Sequence, residues 1–324
     1  MLPESMDLID NYDETATFVR DLRRAVRDTH DKIILNFNRV VQIRPTALLL
    51  LLAELHRYQL TLSVQRVTGL YPKDPKVERM LQDSGFFRLI KVDHRIGAAP
   101  KQFPLDYIEF ITDVRAEGEQ VLLLRNKLFG DRILMPDIAR RNLFRSLTEA
   151  MTNVCQHAYP KEDFAAHPAR NRWWLAGHVN RLRGDVTITF CDLGVGIPRT
   201  LPKLYASEVI RAVLALLPGV KPNDGEMIKA GMELGRSATK QSNRGKGLND
   251  LRKFIDAAAA GSLHIVSGRG KYRYGAGGVE SISNHRISVG GTLLKWTVPM
   301  ARVTGWKGDQ GDDDERNVSA TQAT

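Results

Sequence analysis

Four short segments of the chain hold residues able to do polar chemistry together. The first is Thr148-Glu149-Ala150-Met151-Thr152-Asn153, followed by His157-Ala158-Tyr159. Glu149 and Asn153 stand four positions apart and share one face of a helix. A carboxylate there can orient and deprotonate an attacking hydroxyl. An Asn amide oxygen is a neutral ligand for Mg²⁺, which takes few protein groups and keeps phosphate oxygens and waters. The second segment, Asp192-Leu193-Gly194-Val195-Gly196-Ile197, follows the strand-like VTITFC. A carboxylate at a strand end can accept a hydrogen bond from the exocyclic amine of a base, while glycines let the backbone pass close to the ring. The third, Ser242-Asn243-Arg244-Gly245-Lys246-Gly247-Leu248, opens a helix pattern. Backbone N–H groups at such a start bind phosphate, and Arg244 or Lys246 adds charge. The serine or threonine that follows the lysine of a P-loop is missing. The fourth, Gly290-Gly291-Thr292, leads into LLKWTVP.

Each segment alone has an ordinary explanation: a solvated helix face, a glycine turn, a helix start. Their order carries more. The same elements occur in the same order in the GHKL ATPases, so residues 136–300 resemble that group. More narrowly, TEAMTNVCQHAYP resembles the E-A-x-x-N-x-x-x-H-A-Y stretch of the anti-sigma-factor serine kinases. The resemblance implies a Bergerat-type α/β sandwich: a mixed, mainly antiparallel sheet with helices on one face and ATP-Mg²⁺ between the two layers. It implies Glu149 as general base and Asn153 as Mg²⁺ ligand. Asp192 would read the adenine amine with Thr292 nearby, Gly194 and Gly196 would shape the base pocket, and Arg244, Gly245, Lys246, Gly247 and Leu248 would hold the phosphates. One departure is the span 198–244, 47 residues where the small kinases have a shorter lid. It holds helical stretches Ser207–Leu217 and Glu226–Leu234 and a flexible-looking Gly219–Gly225, and it reads as a long lid and a partner surface. His157 lies inside the Glu149–Asn153 helix pattern rather than on a preceding dimerisation helix, which argues against a histidine kinase proper.

Several elements must position these residues. Pro136–His157 reads as a long helix, with Pro136 at its start and Asp137 in its first turn. Trp173–Asn180 and Asp185–Cys191 read as an antiparallel hairpin around Arg183-Gly184. Gly247–Ala259 is a helix pattern; Ser262–Ser267, Gly278–Ser283 and Thr292–Val298 are strands. The ATP-binding unit is thus expected over 136–303. Of two adjoining tryptophans in the strand pattern, one is expected to face the core and one to face out. Ahead of this unit, 96–135 reads as a connecting segment, with a linker-like His94–Phe103 and a short strand at Val121–Leu124.

Residues 1–95 form a small α/β pattern: strand Lys32–Phe37, helix Thr46–Leu60 after Pro45, strand Thr61–Val67, amphipathic helix Pro75–Ile90. A strand ending in V-V-Q-I, a polar hinge and a Leu-rich helix resemble the STAS fold of anti-anti-sigma factors. Those proteins carry Asp-Ser-Ser/Thr-Gly at the hinge, whereas here it is Arg44-Pro45-Thr46-Ala47. Thr46 is therefore read as a helix-start residue and the unit as a binding domain that is not phosphorylated.

Bulk composition sets limits. The 324 residues suit two domains, and 43% hydrophobic with 26% charged content is that of a globular chain. The longest wholly apolar run, Ala47–Ala53, has seven residues, against about 20 for a bilayer span. No secretory signal pattern opens the chain, and two cysteines make no disulfide framework, so a cytoplasmic protein without a membrane partner is expected. Net charge is +10, but the basic residues are scattered without interleaved aromatics, which argues against nucleic acid. The eight histidines show no zinc spacing. The polar 304–324 tail, rich in Gly and Asp, is expected to be disordered. The sequence thus reads as an ATP-Mg²⁺-binding signalling protein that either phosphorylates Ser/Thr on a regulatory partner or switches an interaction. The alternatives are a conformational ATPase whose lid drives dimerisation or clamping, with a homodimer as its form, and a nucleotide-sensing adaptor without turnover.

Overall fold

A computed structural model describes residues 2–62, 66–92, 105–129, 135–164, 167–217, 219–237 and 248–304. The chain is mixed α/β around a large antiparallel sheet. The N-terminal unit runs β1 (Ser5–Met6), α1 (Tyr12–Asp28), β2 (Ile33–Asn36), β3 (Gln42–Ile43), α2 (Pro45–Thr61), β4 (Val67–Leu70), α3 (Pro75–Asp83) and α4 (Phe86–Leu89). Its strands pair as two short parallel couples, β1 with β3 and β2 with β4. Helix α1, not singled out from the sequence, buries Tyr12, Thr15, Ala16, Val19, Leu22 and Val26, a stripe at helical spacing. The strand expected over Thr61–Val67 is displaced: α2 runs on to Thr61, and Val67 begins β4 by pairing with Ile33. The helix expected over Pro75–Ile90 is broken at Gly85, whose φ of +85° ends α3 and restarts the chain as α4.

After β5 (Leu105–Tyr107) and β6 (Ile111–Asp113) comes α5 (Glu119–Phe129). The short strand expected at Val121–Leu124 is thus helical. Val121 and Leu124 are buried while Leu122 and Leu123 are exposed, the i, i+3 pattern of a helix face that an unbroken apolar run conceals. Helix α6 (Asp137–Asn153) continues into a π-helical turn, Val154–Ala158, and the short α7 (Lys161–Phe164). The hairpin β7 (Trp173–Asn180) and β8 (Asp185–Asp192) lies where it was expected. The segment expected as a lid folds as α8 (Ile197–Leu204), α9 (Ser207–Val213) and α10 (Asp224–Ser237). A 3₁₀ turn at Leu248–Arg252 leads to α11 (Lys253–Ala258), β9 (Ser262–Ser267), β10 (Gly270–Gly275), β11 (Val279–Asn284), β12 (Thr292–Pro299) and α12 (Met300–Thr304). Strand β10, whose GKYRYG was not read as one, pairs with both β9 and β11. Residues 93–104, 130–134, 238–247 and the tail from 305 lie outside the described residues.

Strand order in the eight-stranded sheet is β11-β10-β9-β12-β8-β7-β5, with β6 also on β7. Every pairing described within it is antiparallel, a correction to the mixed sheet expected. A second correction concerns its faces. One face carries α6, α10 and α11 over a core that includes Trp173, Leu175, Ile188, Phe190, Leu294 and Trp296. The other face is not open: Trp174, Cys191, Val266 and Leu293 share a core with the N-terminal unit. Trp173 and Trp174, adjacent on β7 and pointing to opposite faces, are therefore both fully buried, and neither faces out.

Helix α2 explains this arrangement. Its run of apolar residues buries nearly its whole circumference, against β7, β8 and β12 on one side and α1 and α4 on the other. A helix apolar all round must be enclosed. Within it Glu54 is buried between Arg23 (Nε, 2.8 Å) and Arg57 (Nη2, 2.5 Å). Burial alone would push its carboxyl up, but the two guanidinium groups hold it down at about 2. Polar contacts also bridge the two units. The Trp174 indole donates to His56 Nδ1 (3.1 Å), Lys271 Nζ donates to the Ile9 carbonyl (2.7 Å), and Tyr12 donates to the Ile287 carbonyl (2.8 Å).

Candidate functional site

The face of the sheet under α6 holds a cavity of about 770 Å³ lined by Glu149, Asn153, Asp192, Gly196, Leu248 and Thr292, all singled out from the sequence. They come from four separate stretches. Helix α6 brings Glu149 and Asn153 to one face, and Asn153 Nδ2 donates to Glu149 Oε1 at 2.9 Å. That bond commits the amide nitrogen, and Oδ1 makes no hydrogen bond among the described residues. Burial pushes the Glu149 carboxyl up to about 7; the Asn153 bond opposes this, the nearby Asp250 charge adds to it and Lys253 works against it. Asp250 is itself buried and paired with Lys253 Nζ at 2.5 Å, and its carbonyl accepts from Ser146 Oγ at 2.8 Å, which ties the 3₁₀ turn to α6.

The opposite wall is the end of β8. Asp192 is only 4% exposed, pairs in register with Thr292 of β12, and accepts the Gly194 N–H on Oδ1 at 2.8 Å. Burial raises its carboxyl to about 7, against the pull of donors on Gly194 and Thr292. The loop after it is clamped from several sides. Val195 N–H donates to the Ala158 carbonyl (2.9 Å) at the end of the π-helical turn. Leu193 N–H donates to Tyr159 Oη (2.9 Å), which donates in turn to the Arg172 carbonyl (2.7 Å). A Cβ on Gly194 would stand 2.1 Å from the Ala158 carbonyl oxygen, so only glycine permits this approach. Gly194 thus shapes the wall from behind, while Gly196 lines it.

Ser267, at the end of β9, was not singled out and proves central. Its hydroxyl, fully buried, accepts from Ile197 N–H (2.9 Å), meets the Gly291 carbonyl at 2.9 Å and stands 3.1 Å from the Thr292 hydroxyl. It joins the glycine loop, the Gly-Gly-Thr turn and the start of α8. The only sequence signal is a serine before glycine at a strand end, which is too common to choose by itself.

Helices α8 and α10 close the remaining side, through Thr200, Leu201, Leu204, Gly231 and Gly235. Gly225, read as part of a flexible stretch, lies in α10, where its N–H donates to Asn284 Oδ1 (3.0 Å), and Asp224 Oδ2 accepts Arg269 N–H (2.7 Å). The start of α10 is therefore tied to the β10–β11 side of the sheet. Arg244, Gly245, Lys246 and Gly247 lie outside the described residues. Cys155 donates to the Val114 carbonyl and Cys191 is buried beside the N-terminal unit, with burial pushing both thiols up. Among the described residues no group of three or more His, Cys, Asp or Glu side chains could hold a metal. No described helix is long and apolar enough to cross a membrane. Compared with protein families and with curated proteins, the chain matches none.

Proposed function

We propose that the chain is an ATP-Mg²⁺-binding regulatory protein of the GHKL type, with a Bergerat-type sandwich behind a STAS-like N-terminal unit, and that it transfers the γ-phosphoryl group to a hydroxyl of a partner protein. One observation carries the reading. A nearly buried Asp192, with glycine-fitted backbone around it, and the hydrogen-bonded Glu149–Asn153 pair stand on different walls of one cavity. Its volume, about 770 Å³, lies within the roughly 300–1,000 Å³ of small-ligand sites. A buried carboxylate beside close-approaching backbone suits recognition of a flat base through its amine. A carboxyl and an amide on the far wall suit the phosphate end.

In this reading Asp192 accepts the adenine amine, and Thr292 and Ser267 hold Asp192 and the glycine loop in register. Bound Mg²⁺ would neutralise phosphate charge, with Asn153 Oδ1 as the protein's ligand to it. Glu149, with a pKa near 7, is tuned for taking a proton from an attacking hydroxyl at neutral pH. The acceptor is supplied in trans. Thr46, the only hydroxyl at the STAS-like hinge, is 1% exposed, and its neighbours Ala47 and Leu48 belong to the core on the far face of the sheet. The test is calorimetry with ATP and GTP, with and without Mg²⁺, on the wild type and Asp192→Asn, followed by labelled-phosphate transfer to proteins captured with the tagged chain. Equal ATP and GTP affinities would overturn the base assignment. ADP release with no labelled protein would favour the conformational ATPase, and binding without turnover the adaptor.

A further inference from the structure

The N-terminal unit holds a cavity that the proposed function does not use. About 890 Å³ in volume, it opens between α1, α2 and the start of β4. Arg23 and Arg27 line it from α1, Arg57 from α2 and Arg66 from just ahead of β4, with His30 beside them. Val26, Tyr58 and Leu62 give it an apolar side, and among the described lining residues there is no carboxylate and no lysine.

The partners of each arginine can be named. Arg23 (Nε, 2.8 Å) and Arg57 (Nη2, 2.5 Å) divide one carboxylate, that of Glu54, so two guanidinium groups share one negative charge. The Arg23 guanidinium also lies against Gly290, which helps to hold it in place. Arg27 pairs with Asp28 at 2.6 Å on the exposed rim. Arg66 forms no ion pair among the described residues. It donates to the Val26 and Thr29 carbonyls at the C-terminal end of α1 and to the backbone carbonyl of Asp31, and its buried Nε has no partner. Four guanidinium groups thus meet two carboxylates and a helix end that carries about half a negative charge, which leaves more than one positive charge in excess. The Arg23 and Arg57 side chains are 26% and 23% exposed, so water screens that excess incompletely.

We propose that this cavity binds a phosphate monoester, carried by a phosphorylated side chain of a partner protein or by a small free molecule. Arginines present planar forks of donors rather than point charges, and the three oxygens of a phosphate dianion can take several forks at once. The apolar side formed by Val26 and Leu62 suits the organic part of the ester, and the volume lies within the roughly 300–1,000 Å³ of small-ligand sites. Glu54 fixes two of the four arginines before a ligand arrives, so binding costs less ordering. Every lining residue belongs to the N-terminal unit, so the inference does not depend on the nucleotide reading.

Calorimetry on the full chain tests it, with phenyl phosphate and with a short alanine peptide carrying one phosphoserine, the unphosphorylated peptide serving as control. The phosphorylated probes are expected to bind and the control is not. Arg27→Gln removes an exposed charge whose one ion pair is with Asp28, so the fold is kept, and affinity should fall at least about tenfold. Arg66→Lys keeps the charge and loses the fork, and should weaken binding by a similar factor. Arg20→Gln, on the same helix and paired with Asp21, removes a charge outside the cavity and should leave affinity unchanged. Unfolding curves without ligand check that each variant folds. Tighter binding of the phosphopeptide than of phenyl phosphate identifies a phosphorylated side chain as the source, and the reverse a small molecule. No binding of either phosphorylated probe, equal binding of the unphosphorylated peptide, or a loss in Arg20→Gln as large as in Arg27→Gln and Arg66→Lys would overturn the proposal.

Discussion

Asp192→Asn should make the protein more stable at neutral pH while weakening its hold on ATP. Burial lifts the Asp192 carboxyl from 3.8 to about 7, so ionising it in the folded chain costs more than in the unfolded chain. Below pH 3.8 both states are protonated and there is no penalty. Between pH 3.8 and about 7 the unfolded chain ionises first and wild-type stability falls; above pH 7 the penalty is constant. A carboxyl moved that far carries about 4 kcal/mol at pH 8, of which about 2–3 kcal/mol accrues between pH 5 and 8. The amide of the variant carries none of it. It brings its own cost, since its Nδ2 meets the donors on Thr292, but that cost does not vary with pH. Urea unfolding of both proteins at pH 5, 6, 7 and 8, without nucleotide, should show the variant gaining on the wild type by about 2–3 kcal/mol across the series. Calorimetry at pH 7.5 should show ATP affinity reduced by about 1–3 kcal/mol. Opposite signs on stability and binding mark a residue kept for its ligand. Parallel stability curves for the two proteins would refute the burial argument, and unchanged ATP affinity would refute the base contact.

Further expectations test other parts of the arrangement. Glu149→Ala should keep ATP affinity and lose turnover by roughly 10²–10⁴-fold, whereas Asn153→Ala should lose Mg²⁺-dependent binding and turnover together; normal turnover in Glu149→Ala would make Glu149 a helix-face residue only. Gly194→Ala drives a methyl into the Ala158 carbonyl and should lower Tm and abolish nucleotide binding, while Gly118→Ala meets only the tip of the Phe144 side chain and should be far milder. Burial, with Arg172 nearby, lowers His56 to about 4, so its neutral form supports the fold and stability is lost as pH falls from 6.5 toward 4. His56→Gln should flatten acid unfolding over that window, read by tryptophan fluorescence. After incubation with ATP-Mg²⁺, mass spectrometry should find no phosphate on Thr46, since that side chain is enclosed; stoichiometric phosphate there would mean that the N-terminal unit leaves the sheet.

Much of the local structure was legible because it rests on local physics. Pro136 and Asp137 at a helix start announced α6, strand patterns announced β7, β8, β9 and β12, and the four-residue spacing put Glu149 and Asn153 within one hydrogen bond. The glycines of the loop after Asp192 were legible as a close approach of backbone, but the sequence pointed to a base ring, whereas the near neighbour of Gly194 is the Ala158 carbonyl. Apolar runs were less readable. Val121–Leu124 looks like a strand and Ala47–Ala53 reveals only that it is enclosed, because period cannot be seen where every position is apolar. What only the tertiary structure decided lies at longer range. Trp174 gives no sign that its face of the sheet is covered, and Ser267 gives none that it joins three site elements, because both depend on residues tens to hundreds of positions away.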